Sequence, residues 1–143
     1  MLGSDFEACI ADYCLATLAT YSNDEDPDSA GYRGPEGRKP GHRATSEYDV
    51  YAFGVLLLEL LSGTPPSQHP ILAPAHMPHW VKAMRGDDDN SEDTPLGMLV
   101  EVASLCSVTS PEHRPKMWQV LRMIQKIKAI ACLDAFNPST EFS

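Results

Sequence analysis

Positive charge is scarce in this chain. Eleven Lys and Arg stand against twenty Asp and Glu, a net charge of −9 over 143 residues. A nucleic-acid surface needs clustered cations, so that class of function is excluded. Docking on an anionic membrane surface is disfavoured on the same ground. Long apolar runs are missing as well, and a membrane-spanning helix needs about 20 such residues. Met1-Leu2-Gly3-Ser4-Asp5 carries neither a basic nor an apolar region, so no signal peptide is expected. The four cysteines, Cys9, Cys14, Cys106 and Cys132, form no Cys-x-x-Cys pair, and no His lies at zinc-ligand spacing from two of them. Free thiols in a reducing compartment are the expectation. His76 and His79 flank a Met-Pro pair in a loop, which does not make a metal site, and nothing places Ser, His and Asp as a triad.

What is present is enough for one folded domain. Apolar residues make up 43% of the chain, the level of a globular protein. Twelve prolines punctuate it, most of them in Pro27 to Pro40 and Pro65 to Pro78, which mark loops. The centre of the sequence is the stretch Ser46 to Gly63. Thr45 or Ser46 can cap a helix there, acids sit in its first turn, Gly63 can take the left-handed C′ position, and Pro65-Pro66 forbids continuation. The residues between are apolar nearly all round. A helix of that kind is buried or spans a membrane, and Val50 to Leu61, with Glu59 inside it, is too short and too polar to span one. The expectation is a central helix over 46–62 around which other elements pack. Asp49 lies at its start, where a buried or half-buried acid would need partners.

The flanking segments read in turn. Residues 6–15 form a short apolar run around Asp12, a brief strand with a turn. Residues 16–45 are a long aperiodic loop. Met77 to Arg85 is a short amphipathic helix with Trp80, Val81 and Met84 inward, and Asp87 to Asp93 is a solvated acidic run. Thr94 or Asp93 caps the next helix, Pro95 suits its first position, and Leu96, Leu99, Val102, Ala103 and Cys106 line its apolar side. Pro115 opens a last helix over 115–131, with Met117, Val120, Leu121, Ile124 and Ile127 at helical spacing and Arg122, Lys126 and Lys128 on other faces. Residues 131–143 are expected to be a loose tail.

Several spaced signatures carry a resemblance. Asp49-x-Tyr51-x-Phe53-Gly54-Val55 followed by Leu60-Leu61-Ser62-Gly63 resembles the central helix of a protein-kinase C-lobe. Gly34-Pro35-Glu36 stands where kinases carry Ala-Pro-Glu, Asp12-Tyr13-Cys14 where they carry Asp-Phe-Gly, and Arg114-Pro115-x-Met117 resembles the family's final Arg-Pro segment. The pattern covers about residues 5–130. It is most similar to plant leucine-rich-repeat receptor-like kinases, especially those regarded as inactive. Asp5-Phe6-Glu7-Ala8, Ala11 to Leu15 and Thr109 to Pro115 carry that closer likeness. The fold class implied is mainly α: the C-terminal part of a kinase C-lobe, with at most a short β remnant near the N-terminus.

The resemblance implies roles residue by residue. Asp12 takes the position that holds magnesium against the nucleotide phosphates. Cys14 replaces a Gly whose freedom lets that segment move. Glu36 and Arg114 correspond to the family's buried ion pair, a structural element, and Gly for Ala at 34 is expected to loosen the loop before it. Asp49 is expected to accept hydrogen bonds from a catalytic loop. Residues 16–33 correspond to the activation loop, with Thr17, Thr20, Tyr21, Ser22, Ser29 and Tyr32 as hydroxyl carriers beside Asp24, Glu25, Asp26 and Asp28.

No Gly-rich loop, no strand Lys and no His-Arg-Asp segment occurs in the sequence. The expected catalytic and metal sets are therefore empty, with ATP and magnesium relevant only where a full-length parent is competent. The side of the central helix that the missing segments would cover is expected to be bare, which favours association. The function implied is a partial kinase-fold module of a receptor-like kinase, signalling through protein partners such as a co-receptor kinase. It would sit on the cytoplasmic face, below a single-pass plasma-membrane parent. Two alternatives stand beside it. One is a fragment of an active ATP-dependent Ser/Thr receptor-like kinase. The other is a stand-alone interaction fragment.

Overall fold

The computed structural model describes Ala8 and residues 31–38, 45–65 and 94–136. Among them the architecture is helical, with Ala8 as an isolated β-bridge residue. A 3-10 turn, Pro35–Arg38, leads to α1 (Ser46–Ser62); α2 (Pro95–Cys106), a second 3-10 turn (Pro111–His113) and α3 (Met117–Phe136) follow. The strand expected around 6–15, the activation-loop positions up to 30 and the helix expected at Met77 to Arg85 lie outside the described residues, apart from Ala8.

Local chemistry sets the helix limits. Thr45 is the N-cap of α1, its hydroxyl accepting from the Tyr48 N–H at 3.2 Å. At the other end Gly63 adopts φ 70° and donates its N–H to the Glu59 carbonyl at 2.7 Å. A side chain with a Cβ would be strained there. In α2, Thr94 accepts from the Gly97 N–H at 3.1 Å and Pro95 fills the first position, where its missing N–H costs nothing. Ser107 closes that helix, its hydroxyl donating to the Ala103 carbonyl at 2.9 Å. The last helix opens at Met117, with the Lys116 N–H donating to Oε1 of Gln119 at 2.7 Å. It runs from 117 to 136 where the sequence suggests 115–131. Ala131, Cys132 and Leu133 offer no breaker, and Pro138 is the first residue that cannot continue a helix.

Two apolar clusters join the three helices. Leu58 and Leu61 of α1 meet Val100 and Ala103 of α2. Val50 of α1, Val102 and Cys106 of α2, and Val120 and Ile127 of α3 form the second. Leu57 and Leu99 touch both, so the core is continuous. Burial of this kind is the main source of stability, about 1.5–3 kcal/mol for each large side chain fully removed from water. Gly54 is what lets α1 and α2 approach. A Cβ there would lie 2.7 Å from the Cys106 Cβ and 3.0 Å from the Ala103 carbonyl oxygen. Burial also pushes the Cys106 thiol up to about 11, so it stays a neutral apolar filler.

The expected apolar faces need two corrections. On α3 the core side runs through Val120, Met123, Ile124 and Ile127, while Met117 and Leu121 are exposed. The period was right, but α1 and α2 lie to the side of residues 120 and 127, so the stripe is rotated. On α1 the helix is not buried all round. Leu56 and Leu60 are exposed, and Asp49, expected to be at least half-buried, is exposed too. Residues 49, 56 and 60 fall on one side at 3.6 residues per turn, opposite the side that α2 covers.

Candidate functional site

The most highly connected polar group in the described structure is the guanidinium of Arg114, just after the second 3-10 turn. Its side chain has 0% exposure. A buried charge of that kind is tolerable only with partners, and five hydrogen bonds supply them. The Nη1 atom donates to Oε1 of Glu36 at 2.5 Å and to the Glu47 carbonyl at 2.8 Å; Nη2 donates to Oε2 of Glu36 at 2.9 Å and to the Thr109 carbonyl at 3.2 Å; Nε donates to the Val108 carbonyl at 2.7 Å. Arg has five N–H donors in a rigid fork, and all five are used. The guanidinium also lies 4.8 Å from the ring centroid of buried Tyr51, within cation–π range.

The partners arrive from three parts of the chain. Glu36 comes from the 3-10 turn, the Glu47 carbonyl and Tyr51 from the first turns of α1, and Val108 and Thr109 from the connection after α2. One side chain therefore ties three parts of the chain together, 78 residues apart at the longest span. A bidentate carboxylate pair is the geometry Arg satisfies and Lys does not. The small residues around Glu36 allow it. At Gly34 a Cβ would meet the Glu36 carboxylate at 2.6 Å, and at Gly37 a Cβ would meet the Tyr48 ring at 2.4 Å. Burial raises the Tyr48 hydroxyl above its ordinary range, with Glu36 and Asp49 adding to that and Arg33 opposing it.

Two further contacts flank the clamp. Lys116 pairs with Glu47 at 3.1 Å. The Glu47 carboxyl lies at about 2, held down first by its own backbone N–H at the helix start and then by Lys116. The Tyr32 hydroxyl donates to the Glu59 carboxylate, joining the segment before the 3-10 turn to the far end of α1.

Of the residues singled out in the sequence, the structure brings Glu36 and Arg114 together. It places Tyr32 against Glu59. Asp49 is exposed, and its carboxylate makes no hydrogen bond to another described residue. Asp12, Cys14, Thr17, Thr20 and Ser29 lie outside the described residues. Sequence reasoning missed Tyr51, Glu47, Lys116 and Glu59 as partners. Tyr51 was visible in the motif, but a backbone carbonyl such as that of Glu47 leaves no trace in side-chain pattern. Among the described residues no three His, Cys, Asp or Glu converge to hold a metal, and no helix is long and apolar enough to cross a membrane.

A helical lobe cross-braced by an Arg–Glu pair, with an apolar helix at its centre, matches what the motifs imply. The chain belongs to the protein tyrosine and serine/threonine kinase family, whose model matches residues 1–124. Plant receptor-like kinases are among its relatives. It is 36% identical to an Arabidopsis thaliana protein named as an inactive leucine-rich repeat receptor-like serine/threonine-protein kinase, over 97% of this chain and 23% of that protein. A second Arabidopsis thaliana protein, named "Probable inactive receptor kinase", is 28% identical over 96% of this chain and 23% of its own length. A third, an LRR receptor-like serine/threonine-protein kinase from the same plant, is 31% identical over 90% of this chain and 12% of its own. The chain thus spans about a quarter of the length of the first two relatives.

Proposed function

We propose that this segment is a pseudokinase-type module of a receptor-like kinase, acting in signalling by protein interaction and not by phosphoryl transfer. The observation that carries the reading is Asp12-Tyr13-Cys14. The carboxylate is kept, but a side chain stands where the family's magnesium-binding segment has the freedom of Gly. The complete Arg114 clamp supports the same reading, because it preserves the scaffold that binding requires. A relative named inactive supports it as well. The parent is a single-pass plasma-membrane receptor with this module on its cytoplasmic face, and the partner is a protein, with a co-receptor kinase as the leading candidate.

A thermal-shift titration tests this on the receptor's whole cytoplasmic region, with ATP in the presence and absence of magnesium. No shift is expected under either condition. A magnesium-dependent rise in melting temperature overturns the reading in favour of an active Ser/Thr receptor-like kinase, the alternative that Asp12 itself keeps open.

A further inference from the structure

The outward side of α3 differs in charge from the rest of the protein. From Pro115 to Leu133 the sequence contains Lys116, Arg122, Lys126 and Lys128 and not one Asp or Glu, the single acid of α3 being Asp134 in its last turn, within a chain of net charge −9. The inward side is already spent on the core through Val120 and Ile127. The outward side nonetheless carries large apolar groups: Trp118 is 59% exposed, Leu121 54% and Leu133 71%. Arg122 stacks on Trp118 with its guanidinium carbon 5.4 Å from the ring centroid. At 100° per residue, Lys126 and Lys128 project to opposite flanks of this ridge. Among the described residues no ion pair is formed by Arg122, Lys126 or Lys128; Lys116 alone of the four is paired, with Glu47.

An exposed Trp with Arg stacked on it is the composition that dominates binding energy at protein interfaces. Cations on both flanks define the charge of what fits there. A lipid surface is the poorer occupant. It is a plane, and it would face more of a chain whose net charge is −9 along with α3. A narrow polypeptide meets the helix alone, and charges more than about 8 Å away are screened at physiological salt.

We propose that the outward side of α3 is a docking surface for an acidic amphipathic segment of a partner protein. Apolar side chains of that segment cover Trp118 and Leu121, and its carboxylates meet Arg122, Lys126 and Lys128. This rests on the interaction reading above for its use in the cell, while the binding is a property of α3.

The test is a fluorescence-anisotropy titration of the full chain at about 0.15 M salt. The probe is a labelled 20-residue helical peptide with one face of Leu flanked by Glu. Two control peptides replace Leu by Ser, or Glu by Lys. Binding is expected for the acidic apolar peptide alone. Trp118→Ser and the pair Lys126→Glu with Lys128→Glu are each expected to weaken it about tenfold or more, the scale of losing one anchor. All of these positions are exposed, so circular dichroism is expected to be unchanged. Should one variant unfold, Leu121→Gln and Arg122→Glu give the same readout independently.

Equal binding of the Lys peptide, or affinity indifferent to all the variants, overturns the proposal. So does sedimentation with phosphatidylserine vesicles that Trp118→Ser abolishes while the peptide fails to bind. A dimer dissolved by the charge reversals, again without peptide binding, overturns it in favour of a second copy. The nucleotide titration of the previous subsection does not involve α3, so either reading can fail alone.

Discussion

Replacing Arg114 by Ala removes five hydrogen bonds and one ring contact in a single step. The cost is dominated by what is left behind. Glu36 keeps a carboxylate whose side chain is only 14% exposed, and three carbonyls lose their donor. Removing one partner of a buried ion pair costs about 3–5 kcal/mol. The partial exposure of Glu36 favours the lower half of that range, because water can reach it. Against a total stability of about 5–15 kcal/mol for a domain, this is a large share. With a urea slope of about 2 kcal/mol/M, the unfolding midpoint falls by about 2 M. The assay is equilibrium unfolding followed by far-ultraviolet circular dichroism at low micromolar protein, for the wild type, Arg114→Ala, Glu36→Ala and the double variant. A coupling energy of about 2 kcal/mol between the two positions is expected. Arg114→Lys is expected to recover less than half of the loss, since an ammonium cannot form the fork. A cost for Arg114→Ala below about 1 kcal/mol, or a coupling below about 0.5 kcal/mol, would refute the claim that this clamp holds the three segments together.

Other outcomes are expected from the same structure. Gly54→Ala should destabilise by about 1–3 kcal/mol through overpacking against Cys106 and Ala103, despite Ala's better helix propensity of about 1 kcal/mol; a rise in the unfolding midpoint would contradict the close approach. Glu47 has a folded-state pKa of about 2, below its ordinary 4.5. Its contribution is therefore present above about pH 4.5 and lost as pH falls toward 2, and Lys116→Met should narrow that loss in an acid titration of the midpoint. Tyr32→Phe removes the hydroxyl bond to Glu59 and should speed amide exchange in residues 31–34 with little change in the helices. Leu56→Gln with Leu60→Glu, both at exposed positions, should lower light scattering at high concentration without lowering the unfolding midpoint.

Much of the helical frame could be read directly. Thr45 and Gly63 bracket α1, and Thr94-Pro95 opens α2, because caps and breakers act within a few residues of chain. Arg114 and Glu36 could be paired only through the family motif, since nothing local connects positions 78 apart. The rotation of the α3 stripe was not legible. Met117 and Leu121 satisfy helical spacing as well as Val120, Met123, Ile124 and Ile127 do, and only the placement of α1 and α2 decides between them. Asp49 was misplaced for a related reason. An apolar helix looks buried from its composition, while exposure depends on what lies beside it. The partners of Arg114 include three backbone carbonyls, which carry no residue-type signal.

The length of the Arg114 span has a kinetic meaning. Closing a flexible loop of 78 residues costs about 4 kcal/mol in chain entropy, from the logarithmic dependence on loop length, too much for one ion pair to meet early in folding. The helices α1 and α2 must meet first, through Leu58, Leu61, Val100 and Ala103, after which the ends that carry Glu36 and Arg114 are already neighbours. The clamp is then expected to close late. An interaction absent from the transition state leaves the folding rate alone and appears almost wholly in the unfolding rate. On that account the Glu36–Arg114 pair acts as a timer on the native state: it sets how long the lobe, once assembled, keeps its shape.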